Sequence, residues 1–166
     1  MFDKYKTVCF SGHRTKRLPQ SPQGLKELKK RVYEEIDKAV SSGFNSFIFG
    51  GCLGFDLICA EVLLDIKNVS GGGIPRQIQL IAAIPFEKQA ERWNLRDREL
   101  YNSILSRCDD IVCICEEFSL YSYSKRNRFM VDNSSRLICY YDGGKGGTAA
   151  TVKYANKKGL EIINLC

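Results

Sequence analysis

Three turns carry most of the residues in this chain that could do chemistry. They are Ser11-Gly12-His13-Arg14, Gly50-Gly51-Cys52-Leu53-Gly54-Phe55-Asp56 and Gly143-Gly144-Lys145-Gly146-Gly147-Thr148. Glycine lets a backbone approach a ligand closely and take positive φ. A glycine-rich turn that opens a helix offers free N–H groups at the positive end of the helix dipole, which suits an anion, phosphate above all. Taken alone, each such turn is as readily an ordinary tight β-α connection. Two of them beside a basic His-Arg turn point to a phosphate-bearing ligand. The chain contains no G-x-G-x-x-G, and Lys145 lies within its glycine run rather than before a Ser or Thr. Dinucleotide dehydrogenases and P-loop ATPases are therefore disfavoured.

Other candidates admit two readings each. His13 is the single histidine, so any Ser-His-Asp or Cys-His scheme must use it. It is either a catalytic or ligand-contacting group or a turn histidine bonded to backbone. Arg126-Asn127-Arg128 would clamp a phosphate with guanidinium forks, although composition alone favours a solvated surface run. On the clamp reading, replacing Arg126 with Ala removes a ligand contact and leaves the fold intact. Asp56 and Glu61 either accept bonds from a ribose or serve as a helix cap and a surface acid. Trp93 belongs to the core or stacks on a base.

The elements that must position these groups alternate between two periods. Short apolar runs at Thr7–Ser11, Phe47–Phe49, Ile78–Ile84, Asp110–Cys115, Leu137–Tyr141 and Ile162–Ile163 read as strands, the third bounded by Pro85 and the fourth buried. Helices are expected between them. The first is capped by Ser21 with Pro22 behind it, and Gly43 stops it. The others fall at Phe55–Ile66, 87–107, about Lys125–Asn133 and Ala149–Lys158, with a connector at Ser70–Gly73 and an irregular loop at 116–124. This β-α order, repeated about five times and closed by a strand, predicts a parallel sheet covered by helices on both faces, a three-layer α/β/α Rossmann-like fold. Ligands in such sheets bind beyond the carboxyl ends of the strands, where the strand order reverses.

Length and composition agree. At 166 residues, with 44% hydrophobic and 27% charged residues, the chain reads as one globular domain over 1–166, not a disordered segment. No apolar run approaches the ~20 residues that span a bilayer, and the start lacks the apolar core of a secretory signal. The eight cysteines contain no C-x-x-C and mostly sit in apolar runs. They read as small buried hydrophobes with reduced thiols in a cytoplasm, with no metal site. The net charge of +6 permits a nucleic-acid partner, but aromatics are not interleaved with the basic runs.

Five blocks, TVCFSGHR (7–14), GGCLGFDLICAE (50–61), PFEKQAERW (85–93), RNRFMVDNS (126–134) and DGGKGGTAATVKYA (142–155), resemble the YpsA family of the SLOG superfamily, in the same order and over nearly the whole chain. That superfamily also holds the DNA-processing protein DprA and the "lonely guy" phosphoribohydrolases. The resemblance implies a Rossmann-like fold in a bacterial, cytoplasmic protein that binds a nucleotide or nucleotide-derived ligand, and the leading expectation is a domain that binds a nucleotide or nucleotide-sugar as a sensor. Nucleotide or N-glycoside hydrolysis and single-stranded DNA binding are the alternatives, and a homo-oligomer is allowed. The ligand-binding set implied is Gly12, His13 and Arg14 in the first turn, then Gly50, Gly51, Gly54, Asp56 and Glu61, then Arg126 and Asn127, and last Gly143, Gly144, Gly146, Gly147 and Thr148. No catalytic residue or cofactor is assigned. Relative to the phosphoribohydrolase pattern, Arg126 and Met130 match, Asn127 replaces a lysine and Asp142 replaces a proline. The glutamate expected just after Thr148 is absent, and Ala149, Ala150 and Thr151 fill that stretch. Ser135 stands where relatives often carry Asp, a position expected to touch ligand.

Overall fold

The computed structural model describes residues 3–68 and 77–166, and the connector expected at Ser70–Gly73 lies outside them. The elements run β1 (Thr7–Gly12), α1 (Pro22–Ser41), β2 (Ser46–Phe49), α2 (Phe55–Asn68), β3 (Gln79–Phe86), α3 (Leu95–Leu105), β4 (Asp110–Cys115), α4 (Ser122–Asp132), β5 (Arg136–Tyr140), α5 (Gly147–Lys157) and β6 (Glu161–Asn164). All strand pairs are parallel, in the order β4-β3-β2-β1-β5-β6. The expected doubly covered sheet is what forms.

Alternate residues of each central strand feed two separate cores, as a period of two requires. Val8, Phe10, Phe47, Phe49, Leu80 and Ala82 pack under α1, α2 and α3. Cys9, Ile48, Ile81, Ala83, Leu137 and Cys139 pack under α4 and α5. Helix α1 starts where Ser21 accepts a bond from the Gly24 N–H at 3.0 Å. It ends in a Schellman turn, with Gly43 at φ +94° and the Phe44 N–H on the Ala39 carbonyl.

Three expectations are corrected. Residues 87–94 form turns rather than helix, because Asn94 caps α3 through the Asp97 N–H. Strand β3 runs through Pro85 to Phe86. Its partner β2 has already ended opposite Ala82, so the missing N–H disrupts no ladder on that side. Strand β4 is an edge strand, not a buried one. Its Ile111 is 46% exposed, and Cys113 is exposed too, so the reading of apolar-run cysteines as buried fails there. All eight thiols are free. Among the described residues no helix is long and apolar enough to cross a membrane.

Candidate functional site

The strand order reverses between β1 and β5. The chain leaves β1 toward the α1–α3 layer and leaves β5 toward the α4–α5 layer, which opens a crevice at their carboxyl ends. A cleft of about 300 Å3 occupies it. One wall is Ser11 to Arg14 with Arg17, and the floor holds Cys52 and Asp56. The opposite wall is Tyr123, Arg126, Asn127 and Met130 of α4 with Gly146, Gly147 and Thr148 at the start of α5.

Asp142 shapes the α5 side. Its Oδ1 accepts the Gly144 N–H at 2.9 Å and lies 2.8 Å from His13 Nε2. The Asp142 N–H also points at that nitrogen, at 3.1 Å. The Arg17 guanidinium grips the same carboxylate, with Nε donating to Oδ2 at 3.0 Å and Nη2 donating to Oδ1. His13 is 4% exposed. It lines the cleft and ties the turn after β1 to the loop after β5. The Gly144 N–H and the Arg17 guanidinium hold the Asp142 carboxyl down at about 2. A carboxyl whose folded pKa is depressed stabilises the fold above its ordinary value and loses that effect as pH falls through the folded one. Wild type should therefore shed stability between about pH 4 and pH 2 relative to Asp142→Asn. Melting temperatures of the two proteins across that window test this, and parallel curves would refute it.

The two glycine turns differ in what fills their N–H groups. At α2, the Asp56 carboxylate turns back and accepts from the Gly50 N–H (3.2 Å) and the Cys52 N–H (3.4 Å). Burial pushes the Asp56 carboxyl above its usual range, while Arg126 and the Cys52 N–H act against that rise. The expected anion seat at Gly50–Gly54 is thus taken by the chain's own acid. At α5, Gly146 caps the helix at φ 138° with no side-chain bond, and the first turn carries no acid. Among the described residues nothing outside its own turn lies within 4 Å of where a Cβ at Gly147 would stand.

Arg126 is no surface group. It is 4% exposed. Its Nη1 donates to the Gly50 carbonyl, its Nη2 to Cys52 Sγ at 3.1 Å and its Nε to Asn127 Oδ1 at 2.7 Å. Replacing it with Ala would empty a buried bonded position, so that variant does not leave the fold untouched.

Of the expected residues, the cleft brings together Gly12, His13, Arg14, Asp56, Arg126, Asn127, Gly146, Gly147 and Thr148. Gly50, Gly51 and Gly54 are structural elements behind it, since a Cβ at each would strike Arg126, Gln89 and the backbone of His13 to Thr15, respectively. Gly143 and Gly144 belong to the Asp142 loop. Glu61 lies outside the lining and pairs with Lys29 of α1 at 3.4 Å. Ser135 precedes β5, at the amino ends of the strands and away from the cleft, where its Oγ donates to the Tyr5 carbonyl. Sequence reasoning missed Arg17 and Tyr123. The signal for Tyr123 was present, because Tyr123, Asn127 and Met130 recur at helical spacing on one face. Trp93 sits just before α3, edge-to-face with Tyr101 at 5.2 Å.

Relatives share this frame. A UPF0398 protein of Bacillus thuringiensis (strain Al Hakam) is 30% identical over 143 residues, covering 85% of this chain and 75% of its own length. A UPF0398 protein of Bacillus cereus (strain G9842) is 29% identical over the same shares. Among solved structures, DprA of Helicobacter pylori superposes with a TM-score of 0.64 at 18% identity, over 98% of this chain and 65% of that one. DprA of Streptococcus pneumoniae gives 0.63 at 16%, over 97% of this chain but only half of that one. TM1055 gives 0.56 at 18%, over 94% and 71%. These structural likenesses establish the fold. The family model described as "YspA SLOG family" matches residues 8–162, and this chain belongs to that YpsA family.

Proposed function

We propose that this protein binds a phosphate-bearing, nucleotide-like ligand in the cleft between β1 and β5, with the phosphate on the amino end of α5. The observation that carries the reading is the uncapped start of that helix at Gly146–Thr148, which opens on a cleft whose other walls bring Arg14, Arg17 and Arg126. Amide dipoles and the Arg14 guanidinium facing one volume suit a phosphate, with the positive charge of the protein-bonded Arg17 and Arg126 beside them. Arg14 is exposed, and among the described residues no hydrogen bond or ion pair engages its guanidinium, which leaves that group available to a ligand. Thr148 is buried in the lining and adds a hydroxyl.

Gly147→Leu tests the reading. The space around Gly147 is open, so the variant should fold as stably as wild type, while its side chain fills the phosphate seat. Calorimetry with nucleoside phosphates and nucleotide-sugars should show binding to wild type and a loss of about a hundredfold or more in the variant, the scale of two charge-assisted hydrogen bonds. Equal binding by the two proteins would reject the site.

One observation supports a hydrolase as the second reading. Asp56 is the single carboxylate lining the cleft among the described residues, and burial raises its pKa toward that of a proton donor. A base-release assay on the same compounds decides it. Single-stranded DNA binding has weaker support, in the +6 charge and in the fold shared with the Helicobacter pylori DprA, whose structure concerns its single-stranded DNA binding mode. A salt-dependent gel shift tests it.

A further inference from the structure

A second concavity, about 670 Å3, lies at the carboxyl ends of β3 and β4, between the 87–93 turns and residues 116–123. Four rings line it: Phe86, Trp93, Phe118 and Tyr123. Phe118 and Tyr123 each stand edge-to-face on Phe86, at 5.2 and 5.9 Å. Tyr123 also lines the phosphate cleft, so the two volumes meet at one side chain.

The charge of this bowl runs against that of the molecule. Glu87, Glu91, Glu116 and Glu117 outnumber Lys88 and Arg92 around it, in a chain of net +6. Among the described residues none of these six forms an ion pair. Gln89 belongs to the same lining and is 5% exposed. Its Nε2 is spent on Tyr101 Oη at 2.8 Å and the Gly51 carbonyl at 3.4 Å, neither of which lines the bowl. Among the described residues its Oε1 has no partner. An unpartnered buried acceptor calls for a donor. On the other side of the cleft, the groove between α4 and α5 carries Arg128, Lys153 and Lys157 and shares Tyr123, Asn127 and Gly147 with the site. A ligand lying across Tyr123 is thus oriented, with phosphate toward the basic side and its donor-bearing end toward the acidic one.

We propose that the bowl holds the base of the nucleotide whose phosphate the cleft takes, and that it selects a ring with an amino edge, adenine or cytosine, over uracil or hypoxanthine. Flat apolar walls suit any base by stacking. The surplus of acceptors discriminates between bases, because a keto oxygen brought against carboxylates is repelled, while an exocyclic amine donates to them. The inference rests on the phosphate-binding reading above.

The test uses the full chain, calorimetry and the emission of Trp93, the single tryptophan. The probes are the monophosphates of adenosine, cytidine, uridine and inosine, with ribose 5-phosphate as the compound that lacks a base. Adenosine or cytidine monophosphate should bind about tenfold or more tightly than ribose 5-phosphate and change Trp93 emission, as expected for one stacked base. Phe118, 61% exposed, can be truncated without emptying the core. Phe118→Ala should weaken the amino-base nucleotides and leave ribose 5-phosphate affinity unchanged. Equal affinity for nucleotides and ribose 5-phosphate with constant emission, or a preference for the keto bases, overturns this inference and leaves the phosphate site standing. Failure of every probe to bind overturns both.

Discussion

Asp56→Ala should cost this protein about 3–5 kcal/mol of folding stability, the range for removing one partner of a buried charged set. Asp56 is 5% exposed and serves the amides of Gly50 and Cys52. Without it both N–H groups lose their acceptor, and the Arg126 guanidinium, held on the Gly50 carbonyl, keeps a buried charge with no acid near it. Asp56→Asn should cost less. Burial places the folded pKa of this carboxyl above its usual value, so its ionised form opposes folding at neutral pH. The amide removes that charge and keeps an acceptor oxygen. Urea unfolding of both variants measures the difference, and a loss below about 1 kcal/mol in Asp56→Ala would show that the set is relaxed rather than tightly bonded.

Gly54→Ala is the other severe change, with an expected loss of about 3 kcal/mol or more from a left-handed backbone position combined with overpacking. Gly54 has φ +99°. Its added Cβ would stand 2.6 Å from the His13 carbonyl oxygen and 2.7 Å from the Thr15 nitrogen. Both contacts are backbone, so no rotamer relieves them. Gly159→Ala is the control. Gly159 also has positive φ, at +74°, but has nothing within 4 Å of its Cβ position, so only the conformational term of about 1 kcal/mol applies. Thermal unfolding should rank the two variants far apart. Equal shifts would mean that the turn after β1 moves aside at little cost.

The layer order was legible because strands buried on both faces leave continuous apolar runs, such as Leu80 to Ile84, and because Ser21 and Gly43 bracket α1. Apolar periodicity could not separate helix from turn at 87–94, where Ala90 and Trp93 pack on the core from turns. Nor could it show that β4 lies at an edge, because Ile111 to Cys115 reads like an interior strand whatever its place in the order. The site was legible as three turns, but their roles were not. The turns at Gly50 and Gly143 look alike as glycine runs. They diverge because Asp56 follows Gly54 closely enough to fold back on its own turn, whereas α5 opens on Thr148-Ala149-Ala150 with no acid to do so. The burial of Arg126 depends on a carbonyl 76 residues away, a distance over which local composition is silent.

The strand order also sets when the site comes into being. Strands β1 to β4 pair in the order of synthesis, each beside its neighbour in the chain. Among the described strands only the pairing of β1 with β5 closes a long loop, and the His13–Asp142 contact across it joins residues 129 apart. Loop closure of that span precedes any gain from the contact, so it belongs to the slow part of assembly. A nascent chain that has emerged as far as β4 already holds Arg14 and Asp56 but has neither the α4 wall nor the amino end of α5. On the binding reading proposed above, ligand capture would mark the finished molecule, and truncated or partly folded chains would lack the walls to compete for it.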